Sequence, residues 1–141
     1  MAAADDVLTL IRDTVRAYVA RDGGPKHYRR LRGMLPGFAR DAWTQMAALG
    51  WFGLGLSERL GGSGLGDAGI AALMEELGRG PTPEPVIACG LLPIAILAGC
   101  GHRSELDRIL AGERLLAVAW QERAGQRPDD PFDTRWDGKR L

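Results

Sequence analysis

Five stretches of the chain repeat apolar residues at three- and four-residue steps, and clusters of glycine and proline separate them. This spacing places apolar side chains on one face of an α-helix, while glycine and proline end one helix before the next begins. A length of 141 residues suits one main domain. The sequence therefore predicts a mainly α fold, a bundle of five helices at about 4–20, 38–49, 67–78, 86–100 and 104–111.

Two glycine-rich segments between these helices are predicted to be loops. Residues 21–37 hold four glycines and two prolines among basic residues, which is typical of a long solvated loop. Residues 51–66 end in Gly61, Gly62, Gly64 and Gly66. No strand enters this second loop and no Gly-Lys-Ser/Thr closes it, so a structural turn with Glu58 accepting backbone hydrogen bonds is favoured over a phosphate cradle.

The segment 86–100 is almost entirely apolar and contains Pro93. It is shorter than the roughly 18 residues of a membrane span, so it is predicted to be a core helix that is covered on all sides. An alternative is that this helix lines a tunnel for an acyl chain. The predicted core residues are Trp43, Met46, Leu73, Leu77, Ile87 and Leu91.

Charge and cysteine content exclude several classes of protein. Eighteen basic and eighteen acidic residues cancel, which argues against binding to nucleic acid or to a membrane surface. Cys89 and Cys100 lack the spacing of a zinc site and are expected to be buried thiols in a reducing compartment. The first ten residues carry two aspartates and no pattern of a secretory signal, so a cytoplasmic location is expected.

The pattern changes from helix to strand near residue 114. Residues 115–120 form an apolar run of strand length, and the alternation of Thr134 and Trp136 leads into Asp137-Gly138, a common hairpin turn. Two strands alone cannot bury an apolar face. The sequence thus predicts a helical domain at 1–113 and the truncated beginning of a β-domain at 114–141.

A series of motifs carries a resemblance to a known family. Residues 47–66 combine a leucine-glycine helix end, a short hydrophobic run, an acid and a Gly-Gly-x-Gly loop, and a second helix end follows at 75–80. A proline-rich link, a long apolar helix, a short capped helix and Gly112-Glu113 come next. In this order, over about residues 5–122, the motifs resemble the amino-terminal domain of acyl-CoA dehydrogenases.

The resemblance implies an architecture and a chemistry. In that family an amino-terminal helical domain, a middle β-domain and a carboxy-terminal helical domain enclose FAD and an acyl-CoA thioester. A glutamate of the carboxy-terminal part removes the α-proton, and the β-hydride passes to the flavin. No catalytic residue is therefore expected in this chain, which is expected to be incomplete as an enzyme and to join homo- or hetero-oligomers of acyl-CoA dehydrogenase subunits.

Trp120 and Gln121 are the cofactor-binding candidates. Residues 119–123 lie where the family typically has a Thr-Glu-Pro motif that contacts the flavin; Glu122 matches, whereas Gln121 and Arg123 replace the threonine and the proline. The amide of Gln121 can still hydrogen-bond to a flavin edge. The alternative is an ordinary strand end with a solvated charge pair.

The remaining polar candidates favour structural roles. Glu75 and Glu76 are adjacent on a helix and point about 100° apart, so they are expected to face solvent or form salt bridges. His27 and His102 have no partner at metal-ligand spacing, and no metal site is expected. Besides a dehydrogenase part, two functions stay open: a non-catalytic partner subunit, which the altered motif favours, and a free-standing helical interaction module.

Overall fold

A computed structural model describes residues 2–127 and 129–138, and within that part the fold is a helical bundle. A π-helix, Val86–Leu91, runs directly into α5, and short 3₁₀ turns lie at Trp51–Gly53 and Glu58–Leu60. No helix of the described residues is long and apolar enough to cross a membrane. The α-helices are α1 (Ala2–Arg21), α2 (Gly24–Leu31), α3 (Arg40–Ala48), α4 (Gly66–Leu77), α5 (Leu92–Cys100) and α6 (Arg103–Leu110).

Aromatic side chains from α1, α3 and the first 3₁₀ turn form the centre of the core. Trp43 and Phe52 pack with ring centroids 4.3 Å apart, and the Tyr18 ring meets the Trp51 ring edge to face at 5.1 Å. Such pairs bury large apolar areas and fix their relative orientation. Gly90 of the π-helix lies against these rings, and an added Cβ would press on Phe52 at 3.2 Å and on Trp43 at 3.3 Å.

The core prediction is confirmed for most of its residues. Trp43, Met46, Leu73 and Leu77 are buried, and Leu91 is partly buried against them. The prediction is wrong for Ile87, because 58% of its surface is exposed to solvent.

The apolar segment 86–100 is not covered on all sides within the described residues. It packs on the core and on α6, so its far side remains open, with Leu92 and Ile96 about 40% exposed. The segment is also not one uniform helix, since its first six residues adopt π-helical hydrogen bonding before α5 begins.

The predicted loop at 21–37 contains a helix, α2, so that prediction is wrong for Gly24–Leu31. Pro25 lies in the first turn of α2, where proline is tolerated because the N–H it lacks would have had no helical partner. Gly24, His27 and Leu31 are buried at helical spacing. Burial of this narrow face against the bundle thus stabilises a helix, although the glycines and prolines of the segment have low helix propensity.

Helix ends and cysteines differ from expectation in detail. Leu65 occupies the N-cap of α4 and Asp67 lies inside its first turn, where a carboxylate still favours the positive end of the helix dipole. Ser104 and Asp107 have the spacing of a capping signal, but His102 is the N-cap of α6. Cys89 is partly buried and Cys100 is exposed, so the expectation of two buried thiols is wrong.

Residues 113–138, as far as they are described, form an irregular segment without a strand. The expected strand at 115–120 is absent because a strand needs a partner for its backbone hydrogen bonds, and no described residue pairs with this segment. Leu115 and Leu116 instead pack partly against the helical core. The expected hairpin turn at Asp137-Gly138 borders residues 139–141, which lie outside the described residues. The domain boundary at 113/114 stays a prediction.

Candidate functional site

A cleft of about 470 Å³ lies between α4 and the π-helix. We call it the α4 cleft. The link 78–85 passes beside it, and π-helices are frequent at functional sites because they re-aim side chains within a helix. Apart from Glu84 and Thr82, the side chains that line it are apolar: Met74, Leu77, Pro81, Pro85, Val86, Ile87 and Ala88.

One carboxylate, Glu84, is buried at the edge of the α4 cleft. Its Oε1 accepts a hydrogen bond from the Nε2 of His27 at 2.7 Å and from the backbone N–H of Ala39 at 3.2 Å. Arg30 donates to the Nδ1 of His27 at 3.1 Å. Because a guanidinium can only donate, Nδ1 is the acceptor and Nε2 carries the proton directed at Glu84. The pair therefore ties the proline-rich link to α2.

His27 thus has an acidic partner that the spacing along the sequence did not reveal. The pair is buried and linked across 57 positions. No group of histidine, cysteine, aspartate or glutamate side chains in the described part of the chain could hold a metal ion.

Tyr18 lies near this pair and stays protonated. Burial, and next the negative charge of Glu84, raise the pKa of the Tyr18 phenol well above its ordinary value of 10.0. Neither its hydroxyl nor the Oε2 of Glu84 has a hydrogen-bond partner among the described residues. The α4 cleft therefore offers an apolar surface with a hydrogen-bonded carboxylate at one edge, which suits binding an apolar chain better than moving protons.

The two cofactor candidates are both exposed on the carboxy-terminal segment. Trp120 is 56% exposed, whereas the side-chain amide of Gln121 donates to the backbone carbonyl of Gln126 at 2.8 Å. The buried Gln126 side chain in turn accepts from the N–H of Glu122 at 2.7 Å. The amide of Gln121 is thus engaged locally, and the ring of Trp120 remains open to a partner.

Glu122 organises the same segment. Its carboxylate accepts backbone hydrogen bonds from Asp133 at 2.7 Å and Thr134 at 2.5 Å. Hydrogen bonding to the Thr134 side chain, followed by these backbone bonds, lowers the pKa of Glu122 below its usual value of 4.5. Its role here is to fold residues 130–134 back onto 120–122.

Glu75 and Glu76 form salt bridges, as expected, but in different surroundings. Glu76 is fully buried and accepts from Arg16 at 2.7 Å and from Arg79 at 2.6 Å, while Glu75 is half exposed and binds Arg12. Hydrogen bonding to Arg16 is the largest cause that lowers the pKa of Glu76. This cluster joins α1 to α4 and reads as structural.

The glycine loop also has a structural explanation. A Cβ on Gly62 would stand 2.5 Å from the Gly53 carbonyl oxygen and closer still to the Leu56 carbonyl oxygen. Both carbonyls accept backbone hydrogen bonds within the loop, from Ser63 and Gly64. The side chain of Glu58 is exposed and makes no hydrogen bond with any described residue, so the expected acceptor role is wrong; its backbone carbonyl accepts from Gly61 instead.

Comparison with known proteins agrees with the resemblance in sequence. The family model "Acyl-CoA dehydrogenase, N-terminal domain" matches residues 5–112. The chain is 34% identical over 106 residues to the acyl-CoA dehydrogenase FadE28 of Mycobacterium tuberculosis, covering 71% of this chain and 30% of that protein. It is 32% identical over 90 residues to the acyl-CoA dehydrogenase IpdE2 of the same organism, covering 63% and 28%.

A solved structure has the same fold. The steroid ACAD Tcur3481-Tcur3483, in its G363A variant, matches with a TM-score of 0.75 and 26% identity over 84% of this chain and 34% of that chain. The chain therefore spans about a third of the length of the relatives that it matches.

Proposed function

We propose a function for this chain, which belongs to the acyl-CoA dehydrogenase family. The chain supplies part of the wall around the acyl group of a thioester substrate. The α4 cleft carries the argument, since its volume of about 470 Å³ and its apolar side chains suit an acyl tail. The reaction served is α,β-dehydrogenation with hydride transfer to FAD, and the catalytic base comes from outside this chain.

The acyl group in this proposal is bulky and of the steroid-derived type. The support is the fold match to Tcur3481-Tcur3483, which is described as a steroid ACAD. The exposed flank of the cleft at Ile87 gives a wide group an apolar surface to cover.

A binding measurement with purified chain tests the acyl cleft. Calorimetry compares CoA with acyl-CoAs of increasing length and with a steroid-derived acyl-CoA. Because each buried methylene contributes about 0.8 kcal/mol, affinity should rise about fourfold per methylene until the cleft is full. Affinity that does not depend on the acyl group would contradict the proposal.

A matched pair of variants locates the binding. Ile87→Asp places a charge in the cleft and should abolish the dependence on chain length. Leu10→Asp places the same charge on an exposed residue of α1 and should leave it unchanged. Equal losses in both variants would show that binding takes place elsewhere.

The FAD contact at Trp120 and Gln121 is part of the same proposal. Trp120 offers an exposed ring for contact with a flavin, and Gln121 offers an amide once its local bond to Gln126 is exchanged. Beyond these two residues we assign no flavin contact to this chain, so we expect the isolated chain to retain little FAD and not to reduce an artificial acceptor with acyl-CoA and added FAD. Turnover by the purified chain would refute this.

A second candidate function is a partner subunit without its own catalysis. Two observations favour it. Gln121 and Arg123 stand in place of the family's threonine and proline, and the matching steroid ACAD is named for two components, Tcur3481 and Tcur3483. FAD absorbance separates the candidates. Stoichiometric flavin in an assembly of this chain alone would exclude the partner role, whereas flavin bound only in mixture with another dehydrogenase subunit would favour it.

A further inference from the structure

Charge is distributed unevenly although the chain as a whole is neutral. The twenty residues 21–40 contain a single acid, Asp22, and that acid is already paired with Arg21 at 2.6 Å. The neutral net charge of the whole chain therefore does not exclude binding of this segment to an anionic surface. The cations of the segment are Arg21, Lys26, Arg29, Arg30, Arg32 and Arg40.

The cations on α2 and just after it are not neutralised. Lys26, Arg29 and Arg32 are exposed, and their side chains make no hydrogen bond or ion pair with any described residue. Arg30 donates to the ring of His27 and to no other described residue. This contrasts with the arginines between α1 and α4, which surround Glu76. These cations give the exposed surface of α2 an excess of positive charge, although Lys26, Arg29 and Arg30 also line a cavity that includes Asp22 and Asp41.

Large apolar side chains project from the same stretch. Leu35 is 98% exposed and Met34 57%, and both lie in the turn that follows α2; Tyr28 on the helix is 42% exposed. The turn is held by a backbone bond from Met34 to Leu31 of 3.0 Å, and Gly33 adopts the left-handed conformation that this bend needs. An isolated exposed leucine needs no explanation, but here three large apolar side chains are exposed within residues 28–35, the same stretch that carries the unpaired cations.

We propose that this surface, residues 26–36, docks the protein on an anionic lipid bilayer. We call it the basic face. Cations at the level of lipid phosphates, with apolar side chains inserted just below them, are the two signals that together hold a protein at a membrane interface. The burial of His27 and Leu31 fixes α2 on the bundle, so the basic face is presented as a preformed surface.

Lipid fits the basic face better than an acidic protein or a nucleic acid does. Phosphates of a nucleic acid would engage Arg29 and Arg32 but would leave Met34 and Leu35 in water. An acidic partner protein would need a pocket that matches the shape of Leu35, which is almost completely exposed. A bilayer needs no such match, because its hydrocarbon accepts single apolar side chains while the headgroups meet the cations.

Sedimentation with lipid vesicles tests the proposal on the full chain. Binding should be strong to phosphatidylcholine vesicles that contain phosphatidylglycerol, weak to pure phosphatidylcholine, and weaker at high salt. The variant Lys26→Gln/Arg29→Gln/Arg32→Gln should bind about 100-fold more weakly, since each cation near an anionic surface contributes about fivefold. Met34→Ser/Leu35→Ser should lose about tenfold or more, because it removes the inserted apolar groups.

The control removes the same charge elsewhere. Arg59→Gln/Arg123→Gln/Arg127→Gln alters three other exposed cations and should bind vesicles within about threefold of the unmodified chain, apart from the small effect of net charge. Circular dichroism confirms that each variant is folded. Equal losses in the two triple variants, no preference for anionic lipid, or binding to polyglutamate or DNA as tight as to vesicles would each overturn the proposal.

Discussion

Replacing Gly62 with alanine should strongly destabilise the fold. The added Cβ would stand 2.5 Å from the Gly53 carbonyl oxygen, whereas an ordinary carbon–oxygen contact is about 3.3 Å or longer. The Gly53 and Leu56 carbonyls would have to move, and the bonds they accept from Ser63 and Gly64 would weaken. Overpacking costs about 1–3 kcal/mol and each lost hydrogen bond about 1 kcal/mol, so we expect a loss of about 3 kcal/mol.

Gly99→Ala is the matched control. Gly99 lies in α5, and apart from its chain neighbours and its own helix backbone no atom of the described residues lies within 4 Å of an added Cβ, so alanine should stabilise the helix by about 0.5–1 kcal/mol. Urea unfolding followed by tryptophan fluorescence measures both variants. With a slope of about 2 kcal/mol per molar urea, the midpoint should fall by about 1.5 M for Gly62→Ala and rise slightly for Gly99→Ala. A Gly62→Ala protein as stable as the unmodified chain would refute the structural reading of the glycine loop.

Three further predictions use the same kinds of measurement. Leu73→Ala should cost about 3 kcal/mol in urea unfolding because Leu73 is fully buried, against less than about 0.5 kcal/mol for the exposed Leu10→Ala; equal costs would contradict the core assignment. The lowered pKa of Glu76 means that its carboxylate stabilises the fold above pH 4.5, a contribution lost as the pH falls through the pKa of the folded state. The difference in free energy of unfolding between the unmodified chain and the Glu76→Gln variant should therefore become smaller below pH 4.5. A difference that stays constant from pH 3 to pH 7 would contradict the role of the cluster. Hydrogen exchange should be fast across 115–138 in the isolated monomer and slower when a partner covers it; slow exchange in a monomer would show a self-sufficient segment.

Periodicity predicted the core where the apolar residues of a helix face the bundle. Trp43, Met46, Leu73 and Leu77 lie at helical spacing and are buried. The prediction that Ile87 lies in the core was wrong because periodicity cannot tell which side of an almost wholly apolar helix meets the core. The helix α2 was missed because local propensity argued against it, and only its packing on the bundle supports it.

The candidate site was less accessible from sequence. The pair of His27 and Glu84 joins residues 57 positions apart, and nothing local to either one reveals the other. A signal did exist at Glu84, which is a lone acid between Pro83 and Pro85 just before an apolar run. A buried carboxylate in such surroundings needs a hydrogen-bond donor, and a histidine from elsewhere in the chain can supply one. The strand at 115–120 was predicted from composition alone, which cannot supply the neighbouring strand that a sheet requires.

Nuclear magnetic resonance of side-chain methyl groups tests the proposed acyl cleft most directly. The chain, labelled at its methyl groups, is titrated with a steroid-derived acyl-CoA and, separately, with CoA. The proposal predicts that the acyl-CoA shifts the methyl signals of Met74, Leu77 and Ile87, while CoA leaves them in place. Acyl-dependent shifts confined to other parts of the molecule, such as Leu106 and Ile109 of α6, would contradict it.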